Sequence, residues 1–108
     1  MHIFSGGTTP AGFDCSGFVY YVINRSGRRI GRAMSAQINT GTPVARADLR
    51  PGDIVFFNNG PNRRLGHNGI YIGGGDFIHS ANPRRGVVID TINNGYYHRY
   101  YYTARRVH

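Results

Sequence analysis

The stretch GFDCSGFVYYVI, residues 12–23, holds the only cysteine of a 108-residue chain. Asp14 is a residue type that caps helix N-termini, and the apolar side chains after it recur at helical spacing. This pattern predicts a helix from about Cys15 to Asn24, with the thiol in its first turn. The N–H groups and dipole of a helix N-terminus favour the thiolate, which is the nucleophilic form of cysteine. A lone cysteine beside apolar residues is also commonly a small buried hydrophobe, so this stretch alone leaves both interpretations open.

Strand-like segments dominate the chain beyond this helix. The run RAMSAQIN, residues 32–39, predicts one further short helix, and only the first third of the chain is predicted to be helical. From Asp48 onward, β-branched and aromatic runs between turn residues predict four or five short strands: IVFF, GIYIG, DFIHSA, GVVIDTI and RYYYTARRV. The segment YYHRYYY, residues 96–102, is predicted to be strand with one buried face. A chain of this length buries one core, so we predict a single α+β domain over residues 1–108, with helices packed on an antiparallel sheet.

The cysteine count excludes two common kinds of small domain. One cysteine cannot form an intrachain disulfide or a cysteine-rich zinc site. No run approaches the roughly 18 to 20 apolar residues that span a bilayer, and the N-terminus lacks the zones of a secretory signal. Because the cysteine motif begins almost at residue 1, we expect the chain to be a mature or excised domain.

The charge of the chain is strongly positive. Its thirteen basic residues are all arginines and its five acidic residues are all aspartates, so the formal net charge is +8. This balance favours a polyanionic partner. A basic module that binds nucleic acid is one alternative, since tyrosines lie among the arginines and could stack on bases. The arginines are scattered over several loops, so a solvated basic surface is the simpler interpretation and we expect no specific nucleic-acid partner.

Two histidines flank the glycine run GGG, residues 73–75. A hairpin loop with an odd number of residues, such as a three-residue turn with a bulge, would place His67 and His79 on the same sheet face. Pairing centred on Gly74 would make them diagonal neighbours within about 7–8 Å, and pairing centred on Gly73 would set them directly opposite. A two-residue turn would send them to opposite faces.

A cysteine, a histidine base and a polar group that orients the imidazole form a complete nucleophilic unit. Cys15, His67 and His79 are therefore the candidate catalytic residues. Taken singly, each histidine is more simply explained as a surface or hydrogen-bonded strand residue. A metal site formed by the two histidines and an acid such as Asp76 is a further alternative, but it leaves the helix-end position of the thiol unused. We expect no metal and no cofactor.

The motifs together are more specific than any one of them. GGTTPAGFDCSGFV, LRPGDIVFF, GHNGIYIGGGDFIHSA and YYYTARRV, in this order and at this spacing, resemble the NlpC/P60 family of papain-like cysteine peptidases. The resemblance implies a circularly rearranged papain-like α+β fold, with the cysteine helix packed on a five- to six-stranded antiparallel sheet. It assigns the nucleophile to Cys15, the base to His67 and the third polar residue to His79. Asp14 and Ser16 match positions that shape the substrate pocket in many relatives.

The resemblance implies a cell-wall hydrolase that acts on peptidoglycan stem peptides. The family cleaves amide bonds, often between D-glutamate and the diamino acid, and some members cut cross-links. We therefore expect a thiol endopeptidase with a Cys-His-His triad and no cofactor. We expect it to be periplasmic or extracellular, with anionic envelope polymers as further partners. The alternative is a non-catalytic basic module that binds cell-wall polymers or nucleic acid.

Two positions depart from the family pattern. Many relatives carry a tyrosine near the oxyanion and substrate pocket where this chain has Ile3. The residue after the base is commonly small and apolar but is Asn68 here, and strand alternation predicts that its side chain lies on the opposite face from His67. Neither departure touches the three candidate catalytic residues.

Overall fold

The computed structural model describes residues 8–9, 12–58, 64–82 and 84–107. Its helices are α1 (Cys15–Arg25), α2 (Met34–Gln37) and α3 (Gly95–Arg99), with a 3-10 turn at Arg46–Asp48. Its strands are β1 (Thr8–Thr9), β2 (Gly12–Phe13), β3 (Thr42–Pro43), β4 (Ile54–Asn58), β5 (Leu65–Gly73), β6 (Asp76–Asn82), β7 (Gly86–Thr91) and β8 (Tyr101–Arg106). No helix among these residues is long and apolar enough to cross a membrane.

Six of the described strands form one antiparallel sheet in the order β3-β8-β4-β5-β6-β7, and β1 pairs with β2 apart from it. Consecutive strands from β4 to β7 are neighbours, as hairpins require, and β8 returns to lie between β3 and β4. Helix α1 packs against β5 and β6. The predicted α+β class and the five- to six-stranded antiparallel sheet are confirmed.

Helix α1 begins at a side-chain cap and ends in a turn. Asp14 has extended backbone, and its Oδ1 accepts a hydrogen bond of 2.7 Å from the N–H of Gly17. This cap satisfies one of the N–H groups that have no partner within a helix. At the other end, the N–H of Ser26 donates to the carbonyl groups of Val22 and Ile23. The predicted helix and its Asp14 cap are confirmed, and the helix is one residue longer than predicted.

The central strand β4 is buried on both faces, since residues 54–57 are all fully inaccessible to solvent. Phe56 belongs to the apolar cluster that holds Phe18 of α1. Phe57 points to the other face, where its ring lies 4.9 Å from that of Phe77. The sheet therefore separates two apolar clusters, one beneath α1 and one beneath α3.

The β5–β6 hairpin places both histidines on one face. Ile70 pairs with Ile78, which centres the ladder on Gly74 and makes His67 and His79 diagonal neighbours. This is one of the two arrangements predicted for a shared face. Their common face is the one that carries Phe57 and Phe77, because β4 pairs Phe57 with His67.

A β-bulge, rather than the length of the turn, decides this register. Only Gly74 and Gly75 lie between β5 and β6, which is the turn length predicted to separate the histidines. A bulge between Tyr71 and Gly73 adds one residue to β5 and restores the shared face. The three glycines have φ angles of 103°, 64° and 86°, which residues with side chains rarely adopt. The sequence permits a three-residue turn with a bulge; the structure has the bulge, but its turn holds two residues.

The tyrosine-rich segment 96–102 was predicted to be strand, and for most of its length that prediction is wrong. Helix α3 occupies Gly95–Arg99, and β8 begins only at Tyr101. The prediction that helices are confined to the first third of the chain is wrong for the same reason. Tyr97 contacts the ring of Phe57 at 5.1 Å and the ring of Phe77 at 5.0 Å. Packing of this ring on the sheet overrides the strand propensity of tyrosine.

Candidate active site

Cys15 is the first residue of α1, and its thiol lies against β5. The peptide N–H groups of Ser16 and Asn68 face the sulfur, and the second of these belongs to the residue that follows His67. Burial raises the pKa of the Cys15 thiol above its ordinary value, and the charge of Asp14 raises it further. The N–H groups lower the pKa by less. The helix N–H groups favour the thiolate, as predicted, but desolvation outweighs them and the net shift of the Cys15 pKa is upward.

The structure brings His67 and His79 into direct hydrogen-bonding contact. Nε2 of His67 lies 2.6 Å from Nδ1 of His79, and the two rings are nearly perpendicular at 81°. His79 is fully buried, whereas His67 is half-buried. The ring of Tyr97 covers both imidazoles, at 6.0 Å from His67 and 5.1 Å from His79 between centroids.

A carboxylate completes this chain of polar groups. Oδ2 of Asp90 lies 2.7 Å from Nε2 of His79. Arg85 donates to both oxygens of the same carboxylate, at 2.8 Å and 3.2 Å. Burial raises the pKa of Asp90, but the hydrogen bonds from Arg85 and His79 outweigh burial and leave this pKa below its ordinary value.

The sequence did not point to Asp90. The acid suggested beside the histidines was Asp76, whereas the acid that contacts His79 is Asp90 of β7. The β6–β7 register pairs Val88 with His79, so Asp90 is its diagonal neighbour on the same face. The signal that could have found it is the single acid in the strand run GVVIDTI, two residues after Val88.

Both imidazoles are neutral at ordinary pH. Burial, and to a smaller extent the neighbouring His79, lower the pKa of His67 to about 3, against the opposing charge of Asp90. Burial also lowers the pKa of His79, although the hydrogen bond and charge of Asp90 raise it. Desolvation therefore dominates, as expected for an imidazole taken out of water.

The two candidate substrate-binding residues meet a common arginine. Arg32 donates to Oδ2 of Asp14 at 2.7 Å and to Oγ of Ser16 at 2.8 Å. Asp14 thus caps α1 through Oδ1 and binds Arg32 through Oδ2. The structure brings both residues to the start of α1 beside Cys15, and a third of the Arg32 side chain remains exposed.

A buried amide pair ties this region to β5. The side chain of Asn68 points away from His67, as predicted, and donates to Oε1 of Gln37 at 2.6 Å. Nε2 of Gln37 donates to the carbonyl oxygens of Ser16 at 3.0 Å and of Gly31 at 2.9 Å. Gln37 thereby fixes the first turn of α1 relative to β5, and sequence reasoning did not single it out.

An open cavity of about 350 Å³ lies beside His67. Residues from four elements line it: Asn58, Gly66, His67, Ala81, Tyr96 and Tyr97. Tyr96 is half exposed at its mouth. Within residues 12–58, 64–82 and 84–107 no group of three or more His, Cys, Asp or Glu side chains is arranged to hold a metal ion. Ile3, where many relatives have tyrosine, lies outside the described residues.

Comparison with known proteins places these residues in a family. The model of the NlpC/P60 family matches residues 4–106. The chain belongs to the NlpC/P60 family. Over 103 residues it is 42% identical to murein DD-endopeptidase MepS/murein LD-carboxypeptidase of Escherichia coli K12, a match that covers 94% of this chain and 53% of that protein. It is 41% identical over 104 residues to the probable peptidoglycan endopeptidase LytE of Bacillus subtilis, covering 94% of this chain and 29% of that protein.

Solved NlpC/P60 structures share the fold. A family member from Bacillus cereus superposes with a TM-score of 0.90 at 35% identity, over 97% of this chain and 35% of that one. The NlpC/P60 domain of the peptidoglycan hydrolase SagA superposes with a TM-score of 0.80 at 31% identity, over 97% and 86% of the two chains. The chain spans about half the length of the Escherichia coli relative and less than a third of the Bacillus subtilis one. The predicted family and its fold are confirmed.

Proposed function

We propose that this NlpC/P60 chain is a cysteine endopeptidase that hydrolyses amide bonds in peptidoglycan stem peptides. The observation that carries the proposal is the hydrogen bond between His67 and His79. His67 lies beside the nucleophile, because the peptide N–H of the next residue, Asn68, faces the thiol of Cys15. The names of relatives support the substrate class, since MepS is named a murein endopeptidase and LytE a probable peptidoglycan endopeptidase.

The histidine contacts define which nitrogen acts as the base. Nε2 of His67 is engaged by His79, so Nδ1 is the nitrogen that remains for the thiol. Because the thiol and the imidazole are both neutral at rest, the proton passes from Sγ of Cys15 to Nδ1 of His67 as the sulfur attacks the carbonyl carbon. His67 then protonates the departing amine.

The second half of the reaction releases the enzyme. A water molecule gives one proton to His67 and attacks the thioester; the C–S bond breaks, His67 returns this proton to the Cys15 sulfur, and the carboxylic acid product then ionises in water. The peptide N–H of Cys15 and a neighbouring donor would hold the oxyanion in both steps. The reaction needs no metal and no organic cofactor.

Asp14, Ser16 and Arg32 are the groups we assign to substrate binding. Asp14 and Ser16 flank Cys15 in the chain, and Arg32 donates to both of their side chains and retains an exposed surface. A stem peptide offers carboxylates and amides that such a cluster can bind. We assign the scissile bond to the D-glutamyl–diamino acid bond or to a cross-link bond, and place the reaction in the periplasm or outside the cell.

The test is the release of fragments from defined muropeptides, followed by mass spectrometry. The parent should release fragments whose masses identify the bond, and Cys15→Ala should release none. Tyr102→Phe is the control, because it removes one hydroxyl from an exposed side chain near the start of β8. Equal release by the parent and by a folded Cys15→Ala variant would overturn the proposal.

A further inference from the structure

Four side chains form an unbroken hydrogen-bonded line that leads away from Cys15. Nε2 of His67 contacts Nδ1 of His79 at 2.6 Å, and Nε2 of His79 contacts Oδ2 of Asp90 at 2.7 Å. Arg85 contacts the same Oδ2 at 2.8 Å and the other oxygen of Asp90 at 3.2 Å. The line runs from the half-buried His67 through the fully buried His79 to the partly exposed Asp90–Arg85 pair.

The chemistry of each group dictates where every proton lies. The Asp90 carboxylate, which Arg85 keeps ionised, can only accept hydrogen bonds, so Nε2 of His79 must carry hydrogen. A neutral imidazole has one N–H, so Nδ1 of His79 has a lone pair and accepts from Nε2–H of His67. Nδ1 of His67 then has the lone pair. The contact with Asp90 therefore fixes His79 as the Nε2–H tautomer, and the contact with His79 fixes His67 in the same form.

We propose that Asp90, anchored by Arg85, is the positioning residue that sets the tautomer of His79 and, through it, of His67, so that Nδ1 of His67 is ready to accept the Cys15 proton. The inference rests on the proposed function, in which His67 is the base. It adds to the three residues Cys15, His67 and His79 a carboxylate that touches neither the substrate nor the thiol.

The surroundings of His79 make Asp90 the group that decides its tautomer. The titratable groups that face the two histidines are Asp90 from β7, Arg85 from the turn before β7, and Tyr97 from α3. Tyr97 contacts His79 with its ring at 5.1 Å and near-perpendicular geometry. Phe77 covers another side of the imidazole at 4.3 Å. Apart from His67, the described polar group bonded to the His79 ring is the Asp90 carboxylate.

The first test measures the tautomers without substrate. Two-dimensional ¹⁵N–¹H NMR of the imidazoles in the parent should show His67 and His79 as Nε2–H tautomers. In Asp90→Ala, both histidines should lose this single form and show mixed nitrogen shifts. Asp76→Ala is the matched control, since it removes one carboxylate from the neighbouring strand β6, and it should keep the parental pattern. An Nδ1–H tautomer at either histidine of the parent, or an unchanged pattern in Asp90→Ala, would overturn the inference.

The second test measures turnover of a soluble muropeptide. Asp90→Ala should lower kcat about tenfold or more with little change in KM, because the base is misaligned while the substrate still binds. Asp90→Glu should recover part of the loss, since it restores an acceptor. Arg85→Gln, at a side chain that is 44% exposed, should fold normally and lose a smaller part of kcat. Parental kcat in a folded Asp90→Ala variant would overturn the inference.

The two tests separate this inference from the proposed function. If the parent cleaves muropeptides, Cys15→Ala does not, and Asp90→Ala keeps parental kcat, then the function stands and the inference falls. If the parent releases no fragment from any muropeptide, the proposed function falls and the inference falls with it, whatever tautomers the NMR spectra show.

Discussion

Burial acts on Cys15 and His67 in opposite directions and leaves both of them neutral. It raises the pKa of the thiol and lowers the pKa of the imidazole to about 3. An ion pair between thiolate and imidazolium is therefore disfavoured in the resting protein, and the proton moves only when the substrate carbonyl is in place. Catalysis then depends on alignment of the base, and the contacts of His79 supply that alignment.

The histidine series tests this alignment. His79→Gln and His79→Asn should keep part of the turnover, because an amide can accept from His67 and donate to Asp90. His79→Ala should lose more, and His67→Ala most, since general-base contributions are about 10²- to 10⁴-fold. Turnover of a muropeptide by variants shown to be folded by circular dichroism is the measurement. A folded His79→Ala variant with parental turnover would reduce His79 to a structural strand residue.

The pH dependence follows from the directions of the two pKa shifts. The active form has one proton shared by the thiol and imidazole, so kcat/KM falls when His67 gains a proton or when Cys15 loses its own. Since the pKa of His67 is lowered and that of Cys15 is raised, the plateau should be wide, from about pH 5 to about pH 8. A profile that is half-maximal near pH 6.5 in protein shown to be folded there would contradict these directions.

Alkylation tests the thiol by itself. Iodoacetamide should react with Cys15 more slowly near neutral pH than with a free cysteine, because the thiolate is the reactive form. Asp14→Asn should increase the rate, since it removes the charge that raises the pKa of Cys15 while an asparagine can still cap α1. Rates measured against pH give the apparent pKa directly. A slower reaction of Asp14→Asn would contradict the assigned effect of this charge.

At the scale of elements, the β5–β6 hairpin is the part that brings the histidines together. Its bulge shifts the pairing of β5 with β6 by one residue, so that His67 and His79 share a face. Gly69, which has no side chain, allows β5 to lie close to β6 beside His79. A methyl group at position 69 would lie 2.8 Å from Cβ of His79 and equally close to the carbonyl oxygen of Ile78. Glycine is required here by close packing rather than by its φ angle.

Gly69→Ala should therefore disturb the site through the backbone. We expect a loss of about 1–3 kcal/mol in the free energy of unfolding, as for other overpacked cores, and a fall in turnover as His79 is displaced. Gly74→Ala is the control, because no atom lies near its added methyl group and only backbone strain results. Thermal unfolding and muropeptide turnover of both variants are the measurements. Parental stability and turnover in Gly69→Ala would show that the strands can separate freely.

Local signals in the sequence identified the elements that depend on local causes. Helix α1 was predictable because a cap and an apolar stripe coincide in residues 14–23, and the hairpin because glycines interrupt two strand runs. Helix α3 was not predictable, since its tyrosines favour strands and its packing depends on residues distant in the chain, such as Phe57 and Phe77. Asp90 and Gln37 were missed for the same reason: their partners are set by strand register and tertiary contacts.

Within the described residues, three of the thirteen arginines of the chain form ion pairs with aspartates. Arg32, Arg85 and Arg106 are bonded to aspartates, and Arg106 contacts both oxygens of Asp53 at 2.8 Å. These three arginines have structural partners, yet the formal net charge of the chain remains +8. We propose that the excess positive charge helps to hold the chain on anionic envelope polymers.

Salt should separate this attraction from the chemistry. Activity on intact cell walls should fall with added salt much more than activity on a small soluble muropeptide, because exposed charges are screened over about 8 Å at physiological ionic strength. The two activities are measured side by side over a series of salt concentrations. Equal salt sensitivity on both substrates would remove the proposed role of the basic surface.

The proposed acyl transfer requires a covalent intermediate between Cys15 and a peptidoglycan stem peptide, and this intermediate can be trapped. The parent is mixed with a muropeptide that it cleaves, quenched in acid within the first turnover, digested and analysed by mass spectrometry. The peptide containing Cys15 should gain the mass of the acyl fragment as a thioester, and His67→Ala should gain far less in the same time. Cleavage by the parent with the Cys15 peptide unmodified at every time, together with cleavage by Cys15→Ala at the parental rate, would rule out this intermediate.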